Sequence, residues 1–203
     1  MQHPPAATKP KLPHRWLVTD AARLPDPLPA AARLSRGEGV LFRHYEWPRA
    51  EREALAQELA ALCRRRGLRL LVAGDPGLAL RCGADGLHLP EAMLVRAAGI
   101  AARHPRWLVT AAAHGEAAIV RAARGGVDAV LISPVFPTGS HPGAVGLGVL
   151  RFAQLAAAAR RRGLGVYALG GITRQTAQRL VRIPKNGTAA IAGMAAAGNQ
   201  TSV

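Results

Sequence analysis

The 203-residue sequence predicts one α/β domain, a parallel (β/α)8 barrel of the TIM-barrel class. Three observations predict it. Short aliphatic runs recur eight times, each bounded by breakers and each followed by a helical pattern. The runs are apolar throughout instead of alternating, as suits parallel strands covered on both faces. The length accommodates eight such units at the lower end of the size range for this architecture. A doubly wound open sheet is the runner-up.

In chain order, residues 1–14 are rich in Pro, Lys and His without periodicity and are expected to form a disordered N-terminal arm, with the barrel over 15–203. Trp16 to Thr19 reads as the first strand, followed by a long loop and a short helix to Arg36. Val40 to Arg43 is the second strand. Pro48 to Arg66 is a strong helix, with Pro48 at its start and Leu55, Leu59 and Leu62 on one face. Arg69 to Ala73, Gly86 to Leu89, Trp107 to Ala111, Asp128 to Ile132, Gly165 to Leu169 and Thr188 to Ala192 are the remaining strands. The helices between them are expected over Pro76 to Cys82, Glu91 to Arg103, Glu116 to Arg124, Leu147 to Arg162 and Thr173 to Val181.

Composition narrows the class. Apolar residues make up 49% of the chain but aromatics only 4%, so the core is built mainly of Ala, Leu and Val. Cys63 and Cys82 show no paired or metal-like spacing and read as core thiols of a reducing cytoplasm. No apolar run approaches the roughly 20 residues that span a bilayer, and the first residues lack a secretory signal, so a cytoplasmic protein without a membrane partner is expected. The formal charge of +15 invites nucleic acid as a partner. The basic runs, however, close predicted helices. Arg64 to Arg66 precede Gly67 and Arg160 to Arg162 precede Gly163, where cations complement the helix dipole and glycine supplies the cap. Nucleic acid is therefore unlikely as a partner, and acidic small molecules fit the charge as well. A homo-oligomer is compatible with the sequence.

In a barrel of this class the site gathers on loops after the strands' C-terminal ends. The sixth strand runs straight into a long loop carrying Ser133, Thr138, Ser140 and His141, stiffened by Pro134, Pro137 and Pro142. The turns after the last two strands hold Gly170 with Gly171 and Gly193, each opening a helix, and form a phosphate cradle of backbone N–H groups. Simple tight packing of the turns is the competing account. Arg43, ending the second strand, is costly to place in a barrel unless an anionic or polar ligand meets it. His114 is the better histidine for ligand contact. His88 is expected to be a structural group oriented by Asp85.

These residues carry a resemblance. The segments Cys82 to Leu89, Ala112 to His114, Asp128 to Gly143 and Ala168 to Ile172, in this order, resemble the thiamine phosphate synthase and thiazole tautomerase family over Trp16 to Met194. The Ser-His-Pro-Gly form at 140–143 is similar to synthase-like domains fused to Nudix hydrolases. The resemblance implies coupling of a pyrimidine pyrophosphate to a thiazole phosphate, with Mg²⁺ aiding departure of pyrophosphate. It places Arg43 at the pyrimidine site, Thr138 and Ser140 in a phosphate-gripping loop, His141 where the family has lysine, and Gly171 and Gly193 in the thiazole-phosphate cradle.

The chain departs from the family pattern at several of these positions. Leu41 and Tyr45 stand where Gln and Lys are usual, Ala73-Gly74 where Asn-Asp is usual, and Pro90 to Met93 where Gly-Gln-x-Asp is usual. Ala112 and Ala192 replace serines. Asp75 and Glu91, each close to a lost carboxylate, are the candidates for holding Mg²⁺. Three functions follow: a synthase-type transferase with Arg43, His114 and His141 as catalytic groups; a thiazole tautomerase resting on His114 or His141; and a non-catalytic binder of a phosphorylated thiazole or pyrimidine.

Overall fold

A computed structural model describes residues 9–138 and 145–190. Its eight strands are β1 (Arg15–Val18), β2 (Gly39–Phe42), β3 (Arg69–Ala73), β4 (Gly86–Leu89), β5 (Leu108–Ala113), β6 (Ala129–Ile132), β7 (Gly165–Leu169) and β8 (Gly187–Ala190). Each pairs in parallel with the next, and β8 closes on β1 through Arg15↔Thr188 and Trp16↔Ala189. The expected closed barrel is the fold. Helices α1 (Leu28–Ala31), α2 (Arg49–Arg66), α3 (Pro76–Cys82), α4 (Ala97–Arg103), α5 (Glu116–Arg124), α6 (Gly148–Arg160) and α7 (Arg174–Gln178) wrap it. The helix expected over Glu91 to Arg103 is divided: Glu91–Arg96 forms a 3₁₀ turn and α4 follows. Among the described residues no helix is long and apolar enough to cross a membrane.

Strand alternation sorts side chains into two cores. Outward residues such as Val40, Phe42, Leu70, Leu87, Val130 and Val166 pack under the helices. Inward residues, including Trp16, Leu41, Leu71, Leu131 and Tyr167, fill the barrel. Trp16 and Tyr167 meet edge to face with ring centroids 6.2 Å apart. Cys63 and Cys82 are free, buried thiols of the outer core, and burial pushes the Cys63 thiol up to about 12.

The end of the barrel where the strands begin is tied by acceptors that precede the even-numbered strands. Asp85 accepts the Leu70 N–H at 2.8 Å, Asp128 the Val109 N–H at 2.8 Å, and Asn186 the Val166 N–H at 2.8 Å. Glu38, almost fully buried, accepts the Ser35 N–H and pairs with Arg15. Asp85 thus serves the strand start and pairs with Arg69; it does not orient His88, three residues on and roughly 10 Å along the strand.

The arm expected over 1–14 is docked where it is described. Lys9 pairs with Asp128 at 2.7 Å, Leu12 packs on the inner core, and the buried Tyr167 hydroxyl donates to the Pro13 carbonyl. A leucine and a carbonyl on the open bottom of the barrel remove apolar surface and a buried hydroxyl from water together. Residues 1–8 lie outside the described residues.

Asp128→Ala leaves the Val109 N–H without its acceptor and Lys9 without its partner, so it should lower stability by about 2 kcal/mol in urea unfolding. Asp128→Asn keeps the acceptor and should lose less than half of that.

Candidate active site

A cavity of about 630 Å³ opens at the C-terminal ends of the strands. Parity of the strands chooses its walls. The last inward residues, Val18, Leu41, Ala112, Leu131 and Leu169, make an apolar floor. Polar groups stand around it: Arg23 in the loop after β1, Arg43 after β2, His88 on β4, Glu91 and His114 after β4 and β5, and Ser133 and Thr138 after β6.

Arg43 is held through its own peptide group. Its N–H donates to Thr19 Oγ1 at 2.9 Å, and its carbonyl accepts from Arg52 Nε at 3.1 Å. Thr19 Oγ1 lies 2.9 Å from Nδ1 of the buried His44, whose Nε2 lies 3.2 Å from the Pro25 carbonyl. A carbonyl only accepts, so Nε2 carries the proton and Nδ1 accepts from the threonine hydroxyl. His44 has the left-handed φ of 38°, an unusual conformation for a non-glycine residue, and its ring stacks on Phe42 with centroids 5.1 Å apart.

His88 and Thr110 face each other across β4 and β5, with Nδ1 and Oγ1 2.9 Å apart inside the barrel. Desolvation, reinforced by the charge of Arg43, lowers the His88 pKa to about 3, so its ring is neutral at physiological pH. His114 is fixed differently. Its Nδ1 lies 2.7 Å from the Ser133 carbonyl and therefore donates, leaving Nε2 as the acceptor of the neutral ring. Its backbone N–H donates to Glu91, whose other oxygen pairs with Arg121 at 2.8 Å.

Gly170 and Gly171 also line the cavity, with φ of 92° and 63°. Packing already demands both: a Cβ on Gly170 would lie 2.8 Å from Pro134 Cα, and one on Gly171 2.6 Å from the Pro137 carbonyl oxygen. These two glycines clamp the β7 turn onto the β6 loop, joined by the Val135 N–H to Leu169 and the Phe136 N–H to Gly170. Beyond them, Thr173 and Thr176 form a capping box on α7. Ser140, His141 and Gly193 lie outside the described residues.

Comparison with known proteins adds a family. The thiamine monophosphate synthase family model matches residues 17–197.

The chain belongs to the thiamine monophosphate synthase family.

It is 39% identical over 144 residues to the thiamine-phosphate synthase of Thiobacillus denitrificans, spanning 70% of this chain and 66% of that one. It is 32% identical over 149 residues to the thiamine-phosphate synthase of Methanospirillum hungatei, spanning 71% and 69%. The matched stretch is thus about two thirds of the length of these relatives. In three dimensions the chain is similar to a thiamine phosphate pyrophosphorylase from Pyrococcus furiosus, with a TM-score of 0.75 at 21% identity over 90% of this chain and 87% of that one. That likeness bears on the fold.

The two residues expected to hold Mg²⁺ are each engaged by other groups of the chain. Asp75 is absent from the cavity lining: its carboxylate caps α3 by accepting the Leu78 N–H at 2.8 Å and faces Arg52. Glu91 reaches the cavity but is engaged by Arg121 and the His114 amide. No cluster of three or more His, Cys, Asp or Glu suited to a metal ion occurs among the described residues. A magnesium ion is held by one or two carboxylates together with water and substrate phosphate, and on this wall it meets Glu91, already bonded to Arg121 and the His114 amide, with no second carboxylate among the described residues lining the cavity.

Sequence reasoning did not single out Arg23, met Tyr45 only as a departure from the family pattern, and read His88 as a structural group; all three line the cavity. For His88 the signal was present: it is two residues from the inward Gly86 on a strand whose Leu87 and Leu89 face the helices.

The depressed His88 pKa has a definite sign. Between its ordinary value of 6.5 and about 3, the unfolded chain binds a proton that the folded chain does not. This contribution is complete above pH 6.5 and is lost as pH falls toward 3. From pH 6.5 to 5, unfolding free energy should drop by about 1 kcal/mol per pH unit from this group, with His44 acting in the same direction. His88→Gln should flatten that slope; an unchanged slope contradicts the assignment.

Proposed function

We propose that this cavity joins a hydroxymethylpyrimidine pyrophosphate to a thiazole phosphate, making thiamine phosphate. The observation that supports this best is the segregation of its walls. Guanidiniums of Arg23 and Arg43 stand on the β1–β2 side, Thr138 and the glycine turn on the β6–β7 side, and apolar residues lie between. A molecule with an anion at each end and two heteroaromatic rings in the middle has that polarity. The volume of about 630 Å³ is of the size that holds such ligands.

The chemistry asks little of acids and bases. The bond between the pyrimidine methylene carbon and the pyrophosphate oxygen breaks, and the electron pair leaves with pyrophosphate. The thiazole nitrogen lone pair then forms the new C–N bond, giving the thiazolium. No proton must move. Charge on the departing pyrophosphate is met by Arg43, whose peptide is fixed on both sides and so requires little reorganisation. Leu41, Leu131 and Leu169 exclude water, which would otherwise capture the methylene cation. Neutral His88, which lines the same cavity and feels the charge of Arg43, offers a hydrogen bond to a ring nitrogen or amino group without adding a competing charge.

Purified protein incubated with both phosphorylated substrates should yield thiamine phosphate, read as thiochrome fluorescence. Arg43→Met should lower kcat/KM on the order of 10²-fold. If no product forms at high protein concentration while thiamine phosphate raises the melting temperature, the chain is the non-catalytic binder instead.

A further inference from the structure

The next step rests on the reading of the cavity as a site for phosphorylated ligands. All 12 Asp and Glu residues of the chain lie among the described residues, so every side-chain carboxylate can be placed. Glu91 alone among them lines the cavity. At the corner where β2 and β3 end, the hard oxygens are instead collected by a side chain. Arg52, in the first turns of α2 and 12% exposed, donates Nε to the Arg43 carbonyl at 3.1 Å and Nη2 to the Ala73 carbonyl at 2.9 Å. Its Nη1 lies 3.5 Å from the Asp75 carboxylate.

Two carbonyls and a carboxylate are the donor types that a hard divalent cation gathers. Here they surround a guanidinium, which stays charged at every accessible pH and offers a planar fork to several oxygens at once. The same group stands 5.6 Å from the Tyr45 ring centroid and 5.7 Å from that of Phe42. Arg43 stands 5.7 Å from the Tyr45 ring, which borders the cavity. The two guanidiniums therefore share one aromatic partner, and Arg52 is bonded to the backbone carbonyl of Arg43.

We infer that Arg52 is the built-in cation of this barrel: it takes the oxygen donors of the β2–β3 corner, holds Arg43 toward the cavity, and lets a diphosphate bind without a divalent metal. Arg52 is a positioning residue in this account, because it acts on the ligand through Arg43. Asp75 is correspondingly a partner of Arg52 and a helix cap. A fixed charge already bonded to its oxygens needs no recruitment from solution before the anion arrives.

The test is thermal unfolding of the full chain with inorganic pyrophosphate, in EDTA and in excess MgCl₂. Pyrophosphate should raise the melting temperature in EDTA at least as much as in Mg²⁺, which also sequesters free anion. Arg52→Met, with its fold checked by circular dichroism, should bind pyrophosphate about tenfold more weakly or worse. Arg52→Lys should recover part of the loss, keeping a charge but not the fork. Stabilisation seen only with Mg²⁺, or unchanged binding by Arg52→Met, overturns the inference. The comparison of EDTA with Mg²⁺ uses the wild-type chain and decides the matter even if Arg52→Met does not fold. Absence of stabilisation in both conditions, together with no product from the two substrates, overturns the proposed function and this inference with it.

Discussion

Everything in the site follows from the alternation of side chains along eight short parallel strands closed into a ring. In a closed barrel each strand can send only every second residue inward, and the last inward residue of each becomes a wall of the mouth. Leu41 and Arg43, Gly86 and His88, Thr110 and Ala112, and Leu131 and Ser133 are such pairs. A charged or polar residue enters the cavity only at this parity. A shift by one position puts it under a helix, and a shift beyond the strand end puts it in a loop with other duties. Asp75 shows the latter: two positions past Ala73, it caps α3.

The two ends of the barrel use charge in opposite ways. Where the strands begin, Glu38, Asp85 and Asp128 are backbone acceptors, each bonded to an amide and neutralised by a cation. Where the strands end, the cavity has Arg23 and Arg43 against a single carboxylate, Glu91, which is already paired. The acids stabilise the fold at one end, and the guanidiniums leave an anion-attracting field at the other. His88 and His44 fit this division. Both are buried, and burial lowers the pKa of each, favouring the neutral rings that orient their neighbours.

The barrel was legible in the sequence because its signal is repeated eight times and each strand needs only to be apolar and short. The place of Arg43 at the cavity was legible for a related reason: a charge at a strand end demands an explanation within a barrel, and of the β6 loop Ser133, Pro134 and Thr138 also line the cavity. What was not legible depended on partners distant in sequence. Asp85 sits beside His88 in the chain but serves Leu70 and Arg69, because three residues of strand separate the two ends of the barrel. Gly170 and Gly171 read as a phosphate cradle, and packing against Pro134 and Pro137 accounts for both, although they also border the cavity. The role of Arg52 was invisible, since nothing in an α2 sequence full of arginines distinguishes the one that turns back onto Arg43, Ala73 and Asp75.

The central claim is that phosphorylated ligands lie across this cavity with protein guanidiniums, and no carboxylate-held metal, facing the diphosphate. A crystal structure grown with thiamine phosphate, pyrophosphate and Mn²⁺ tests it most directly, with manganese located by its anomalous scattering. The account predicts the two rings over Leu41, Leu131 and Leu169, the product's phosphate beside Gly170 and Gly171, pyrophosphate against Arg43, and no manganese on Asp75 or Glu91. Manganese bound by either carboxylate, or ligands seated outside the cavity, would contradict it.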